Sequence, residues 1–181
     1  MRTSYSYPAT LERDDDGRYV VRFPDLPEAL TDGADEDEAI TEAADCLSEA
    51  LASRIVDGEE IPPATRSAGQ YLISPNPTVA LKTALYTALR RRDMTVADLA
   101  DLLGMGDWHQ AARLIDPKRS SKLTSLAAAL DALDCRIEIA VIELAVGEEG
   151  AFPTPGPRGV TARDAPDARH QARPRLRGGR R

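Results

Sequence analysis

The run Asp14-Asp15-Asp16-Gly17 limits the fold of the amino-terminal region more than any other feature of the chain. It lies between two segments of alternating apolar side chains, Thr3 to Glu12 with Tyr5, Tyr7 and Leu11, and Arg18 to Phe23 with Tyr19, Val21 and Phe23. Two-residue periodicity belongs to strands. Asp-Gly supplies the positive φ of a tight connection, because glycine has no Cβ to clash. The run therefore predicts a β-hairpin. Pro24 and Pro27 then interrupt the pairing, since proline has no N–H to give a ladder, and Glu28 to Thr31 is expected as a short third strand before Asp32-Gly33 turns the chain.

The period changes next. From Asp35 to about Val56, Ala39, Ile40, Ala43, Ala44, Leu47, Leu51 and Ile55 recur at three- and four-residue steps, with Asp35 to Glu38 at the positive end of the helix dipole and Gly58 beyond its end. Ile61-Pro62-Pro63 opens a loop, Tyr71 to Ser74 is expected as a short edge strand, and Pro75-Asn76-Pro77 punctuates the chain. These signals place a first domain at 1–74 and a linker at 75–78.

Residues 79–146 read as four helices and a strand. The first helix, Thr78 to Arg92, carries Val79, Leu81, Leu85 and Leu89 on one side; Thr95 caps the second, which Gly104 stops. Asp107 caps the third, Trp108 to Ile115; the fourth runs from about Leu123 to Leu133, and Arg136 to Leu144 alternates as a strand should. Residues 147–181, rich in Pro, Gly and Arg, hold almost nothing to pack and are expected to be a disordered tail. The fold class expected is α+β.

Two small domains suit a chain of 181 residues, each burying only about 60% of its unfolded surface, which invites stabilisation by a second subunit. No apolar run nears the roughly 20 residues of a membrane span and no secretory leader is evident, so a cytoplasmic location is expected. Cys46 and Cys135 have neither a CxxC partner nor zinc-ligand spacing and read as buried thiols.

Charge is zoned. Residues 1–75 hold six Lys/Arg against seventeen Asp/Glu, residues 76–146 nine of each, and residues 147–181 eight against four, for net charges of −11, 0 and +4. An acidic module steers a basic partner and repels nucleic acid. Asp14, Asp15, Asp16, Asp25, Asp32 and Asp35 have the chemistry of a Mg²⁺ nuclease site, but acids beside a hairpin glycine also answer to turn geometry. His109 has no nucleophile or base partner in the sequence, so no catalytic residue, cofactor or metal is expected.

Thr95 to Ile115 forms a short helix, a glycine turn and a second capped helix, the arrangement in which the second helix enters the major groove. Ala111, Leu114 and Ile115 suit its core face, which leaves Trp108, His109, Gln110 and Arg113 to point outward. Gln pairs with adenine and Arg with guanine. Lys118, Arg119, Ser120, Ser121 and Lys122 follow in a loop suited to phosphates. Zero net charge leaves open that this half is a dimerisation unit only, and the tail's eight Arg would add affinity without specificity.

Residues Tyr7-Pro8, Asp16-Gly17, Tyr19-Val20, Phe23 to Pro27, Thr31 to Gly33 and Glu38-Ala39 together resemble the N-terminal domain of HicB-type antitoxins. Residues 85–105 and 112–133, with the strand after them, resemble the helix-turn-helix version of that family, so that the resemblance covers about residues 3 to 145. Glu28-Ala29 and Ala34-Asp35 stand where many relatives carry Gly-Cys and Asp-Thr.

The resemblance implies a type II toxin–antitoxin system. The first domain, similar to a partial ribonuclease H fold without a working active site, would bind and occlude HicA, a small basic mRNA-cleaving toxin. The second, an XRE-like helix-turn-helix, would dimerise and bind the operator of its own operon. Expected toxin contacts are Tyr7, Asp14, Asp15, Asp16, Tyr19, Phe23, Asp25 and Leu26, and Thr95 joins the DNA-binding residues above. Ile137, Ile139 and Val141 are expected at a dimer interface, where the last strand would pair with its twin in a homodimer that forms a 2:2 complex with toxin. The rival readings are an adaptor that never touches DNA and the Mg²⁺ nuclease.

Overall fold

The computed structural model describes residues 3–65 and 71–140. Its first half is a four-stranded antiparallel sheet backed by one long helix. Strand β1 (Tyr7–Arg13) pairs with β2 (Tyr19–Arg22), with Leu11 opposite Val21 and Arg13 opposite Tyr19. Strand β3 (Leu30–Gly33) pairs with β2, and β4 (Tyr71–Ile73) pairs with β1, giving the order β3-β2-β1-β4. The third strand starts two residues later than the alternation predicts, because Pro24 to Pro27 first closes two tight turns, Leu26 N–H to Phe23 O and Ala29 N–H to Leu26 O.

Helix α1 (Glu36–Asp57) lies across the sheet. Asp35 caps it by accepting from the Glu38 N–H at 2.9 Å, and Glu38 reaches back to the Ala34 N–H at 2.6 Å. Its inner face of Ala39, Ala43, Leu47, Leu51 and Ile55 meets Tyr7, Ala9, Val21, Phe23 and Leu26 in the core. Each large side chain there contributes about 1.5–3 kcal/mol of burial. Gly33 permits the approach: a Cβ on it would stand 2.3 Å from the Ala39 backbone nitrogen.

The second half is a helical bundle: α2 (Pro77–Arg91), α3 (Val96–Leu102), α4 (Trp108–Ile115) and α5 (Leu123–Ala132). Helix α2 starts at Pro77, one residue before the expected Thr78, with Asn76 as its cap and the proline at the position where a missing N–H costs nothing. Helix α2 packs on α4 and α5 and also on α1, so the two halves meet across residues 74–76. There the Asn76 N–H donates to Ser48 Oγ at 2.8 Å.

The strand expected from Arg136 to Leu144 is not formed over residues 136–140, which follow α5 as irregular chain. A strand needs a neighbouring ladder for its backbone groups, and no strand pairs with this segment among the described residues. Residues 141–144, and with them Val141, lie outside the described residues, as does the tail at 147–181.

Candidate functional site

Two surfaces carry the residues that the sequence singles out. The first is the hairpin of the acidic half. Asp14 is occupied by its own turn: its Oδ1 accepts from the N–H groups of Asp16 (3.1 Å) and Arg18 (2.8 Å), and its carbonyl accepts from Gly17 at 3.0 Å. Asp15 and Asp16 project from the exposed tip. The acids are therefore placed by turn geometry, and among the described residues no three His, Cys, Asp or Glu side chains stand close enough to share a metal ion.

The structure divides the expected toxin contacts. Tyr7, Phe23 and Leu26 are at most 1% exposed and belong to the sheet–helix core, where they support the surface without reaching it. Alternation alone could not tell which face α1 covers. Tyr7 also donates its hydroxyl to Pro62 O at 2.7 Å. Tyr19 is half-buried with the Arg13 guanidinium 5.8 Å over its ring, and Asp25 is half-buried and holds Thr65 through its N–H (2.8 Å) and hydroxyl (3.1 Å). Asp14, Asp15 and Asp16 are the exposed members of the set.

The second surface is the α3–turn–α4 unit. Thr95 and Asp98 form a reciprocal cap, Asp98 N–H to Thr95 Oγ1 at 3.2 Å and Thr95 N–H to Asp98 Oδ2 at 2.7 Å, and the Thr95 N–H and hydroxyl, both donating to Oδ2, hold the Asp98 carboxyl below its ordinary pKa. Gly104 turns the chain at φ +63°, a conformation costly for a residue with a Cβ. The Met105 N–H then closes back on Ala100 O at 2.8 Å. Asp107 caps α4 through the His109 N–H at 2.9 Å.

Helix α4 is strongly two-sided. Ala111, Leu114 and Ile115 are buried, while Trp108, His109, Gln110 and Arg113 are exposed. The Trp108 and His109 rings stack at 3.9 Å, and Trp108 stays 53% exposed. An exposed, ordered aromatic pair at the start of a capped helix is unusual for a side chain with that much apolar area to bury.

The loop after α4 is built around Asp116. Its Oδ1 accepts from the Lys118 N–H at 2.9 Å, its carbonyl accepts from the Arg119 N–H at 3.1 Å, and the Arg119 guanidinium lies 3.7 Å from Oδ2. Lys118, Arg119, Ser120 and Lys122 are exposed and Ser121 half-buried. Lys122 precedes α5 without a side-chain cap hydrogen bond. Ile139 is 76% exposed and Ile137 packs partly on the core.

One participant escaped the sequence reading. Lys82 of α2 is fully buried, with its ammonium on Asp116 O, Ser121 Oγ and Arg113 O at 2.7, 3.0 and 3.2 Å. Burial pulls its pKa below the usual lysine value, against the pull of Asp116. The available signal was spacing: Leu85, Tyr86 and Leu89 follow it by three, four and seven residues, which puts Lys82 on the buried stripe of its helix.

Comparison with known proteins adds a family. A family model described as a HicB-like antitoxin of bacterial toxin–antitoxin systems matches residues 6–84. "Antitoxin HicB 2" of Photorhabdus laumondii is 34% identical over 143 residues, which cover 78% of this chain and 100% of that protein. "Antitoxin HicB 1" of the same organism is 31% identical over 135 residues, 75% of this chain and 86% of its own. "Antitoxin HicB" of Escherichia coli K12 is 31% identical over 137 residues, 75% of this chain and 99% of its own.

Proposed function

The chain belongs to the HicB family of bacterial antitoxins, a non-catalytic class, and from that premise we propose that it neutralises a HicA-type mRNA-cleaving toxin by covering it and represses its own operon as a DNA-binding homodimer. In this reading residues 1–74 are the toxin-binding domain, with a partial ribonuclease H-like fold, and residues 79–146 are an XRE-like DNA-binding and dimerisation domain. The protein works in the cytoplasm, and no helix among the described residues is long and apolar enough to cross a membrane.

The observation that carries the DNA-binding part is the two-sidedness of α4. Its apolar residues face the bundle, while Trp108, His109, Gln110 and Arg113 are presented together beside the loop of Lys118, Arg119 and Lys122. Side chains that reach base edges and cations that neutralise phosphates are the two parts such an interface requires. A homodimer sets two copies of α4 toward a two-fold symmetric site, with Ile137, Ile139 and Val141 at its interface.

Toxin capture is electrostatic at the rim and apolar within. Asp14, Asp15 and Asp16 at the hairpin tip, with Tyr19 next to the tip and Asp25 past the far end of β2, meet basic side chains of the toxin, and each antitoxin arm holds one toxin in a 2:2 complex. Steric cover is enough to stop cleavage, since no chemistry is asked of this chain.

Titration with DNA from upstream of its own reading frame tests the operator half. The chain has one tryptophan, so Trp108 emission reports binding directly. Arg113→Ala should cost about 1–3 kcal/mol of discrimination between operator and unrelated DNA. Absence of binding at low salt would leave the helical half as a dimerisation unit.

A further inference from the structure

Among the described residues Lys82 is the one fully buried charged side chain. An ammonium taken out of water is costly unless its donors are met. Here three N–H groups face three acceptors, at 2.7 Å to Asp116 O, 3.0 Å to Ser121 Oγ and 3.2 Å to Arg113 O.

Those acceptors are not scattered. Arg113 O and Asp116 O belong to the last turn and cap of α4, where carbonyls lack helical partners and the dipole is negative. Ser121 lies across the loop, and its hydroxyl also reaches Arg113 O at 3.3 Å. Asp116 in turn orders Lys118 and Arg119 through its carboxylate and carbonyl. One cation on α2 thus joins both ends of the segment whose exposed side chains are Arg113, Lys118, Arg119 and Lys122.

We propose that Lys82 is a positioning residue for DNA recognition, which fixes the C-terminal end of α4 and the 116–122 loop in one geometry so that the Arg113 side chain and the loop cations meet the duplex together. This rests on the DNA-binding reading above. Lys82 itself touches no DNA.

The test uses the full chain, DNA from upstream of its own frame, and Lys82→Met, which keeps length and apolar volume but takes the ammonium away from all three acceptors. The variant should keep its helical circular dichroism, weaken operator binding about tenfold or more, and speed amide exchange over 113–122 while α1 exchanges as before. Ser121→Ala should give a smaller loss in the same direction, and adding it to Lys82→Met should cost less than the two single losses combined.

Wild-type protein that binds while folded Lys82→Met binds equally well overturns the inference, as does unchanged exchange over 113–122. If Lys82→Met does not fold, Ser121→Ala decides: weaker operator binding with faster loop exchange supports the inference, and wild-type behaviour in both overturns it. Wild-type protein that binds no DNA would instead remove the reading on which the inference stands.

Discussion

Tyr86 of α2 donates its hydroxyl to the backbone carbonyl of Glu59 at 2.7 Å, just past the end of α1. Arg90 completes the joint by donating to Gly58 O at 2.8 Å and to the Tyr86 hydroxyl at 3.1 Å. The carbonyls at the end of α1 are thus met by side chains of the helical half, so the two halves share hydrogen bonds as well as apolar contact. Tyr86→Phe should destabilise the chain by about 0.5–1.5 kcal/mol in urea unfolding, the net worth of one such bond. An unchanged midpoint would mean that the halves do not depend on this joint.

Gly33→Ala places a methyl group against the backbone of Ala39 rather than against a movable side chain. Strand β3 and the start of α1 must then separate. A loss of about 1–3 kcal/mol is expected, read as a lower thermal midpoint, whereas a neutral result would contradict the close approach of the two elements.

The pH dependence has a definite sign at each end. Tyr71 donates to Glu36 Oε1 at 2.5 Å, and this bond, followed by burial, raises its pKa from 10.0 to about 12. A group whose pKa is raised by folding lends stability below its unfolded value and loses it as pH climbs through the folded one. Stability should therefore fall between about pH 10 and 12, and Tyr71→Phe should flatten that fall. At the acid end the hydrogen bond from Arg54 (2.5 Å) holds the Glu28 carboxyl below 4.5. Its contribution is present above that value and is lost as pH drops through the folded pKa. Glu28→Gln should remove this part of the acid limb in pH-dependent melting.

What the sequence disclosed follows from the range of each interaction. Thr95, Asp107 and the Asp14-to-Gly17 turn bond within four residues of themselves, so their roles are written locally and match the structure. Strand ends shifted where Pro24 to Pro27 imposed turns of their own. Tyr7, Phe23 and Leu26 looked available for contact because alternation identifies a face without saying what covers it. Lys82 was missed for the complementary reason: its partners lie 31 to 39 residues away, and only the packing of α2 against α4 brings them together.

The alternation after α5 suits a strand, yet residues 136–140 hold no ladder. Periodicity records which side chains suit a sheet, not whether a neighbouring strand is present.

The central claim is that this chain silences a basic RNA-cleaving partner by covering it. The direct measurement is RNA cleavage by a HicA-type toxin, titrated with the full-length chain. Cleavage should stop at equimolar addition. Changing Asp14, Asp15 and Asp16 together to Asn should weaken the inhibition, most visibly at low salt, because high salt screens the charge attraction in the wild-type chain as well. Cleavage that continues undiminished in the presence of excess wild-type chain would contradict the account.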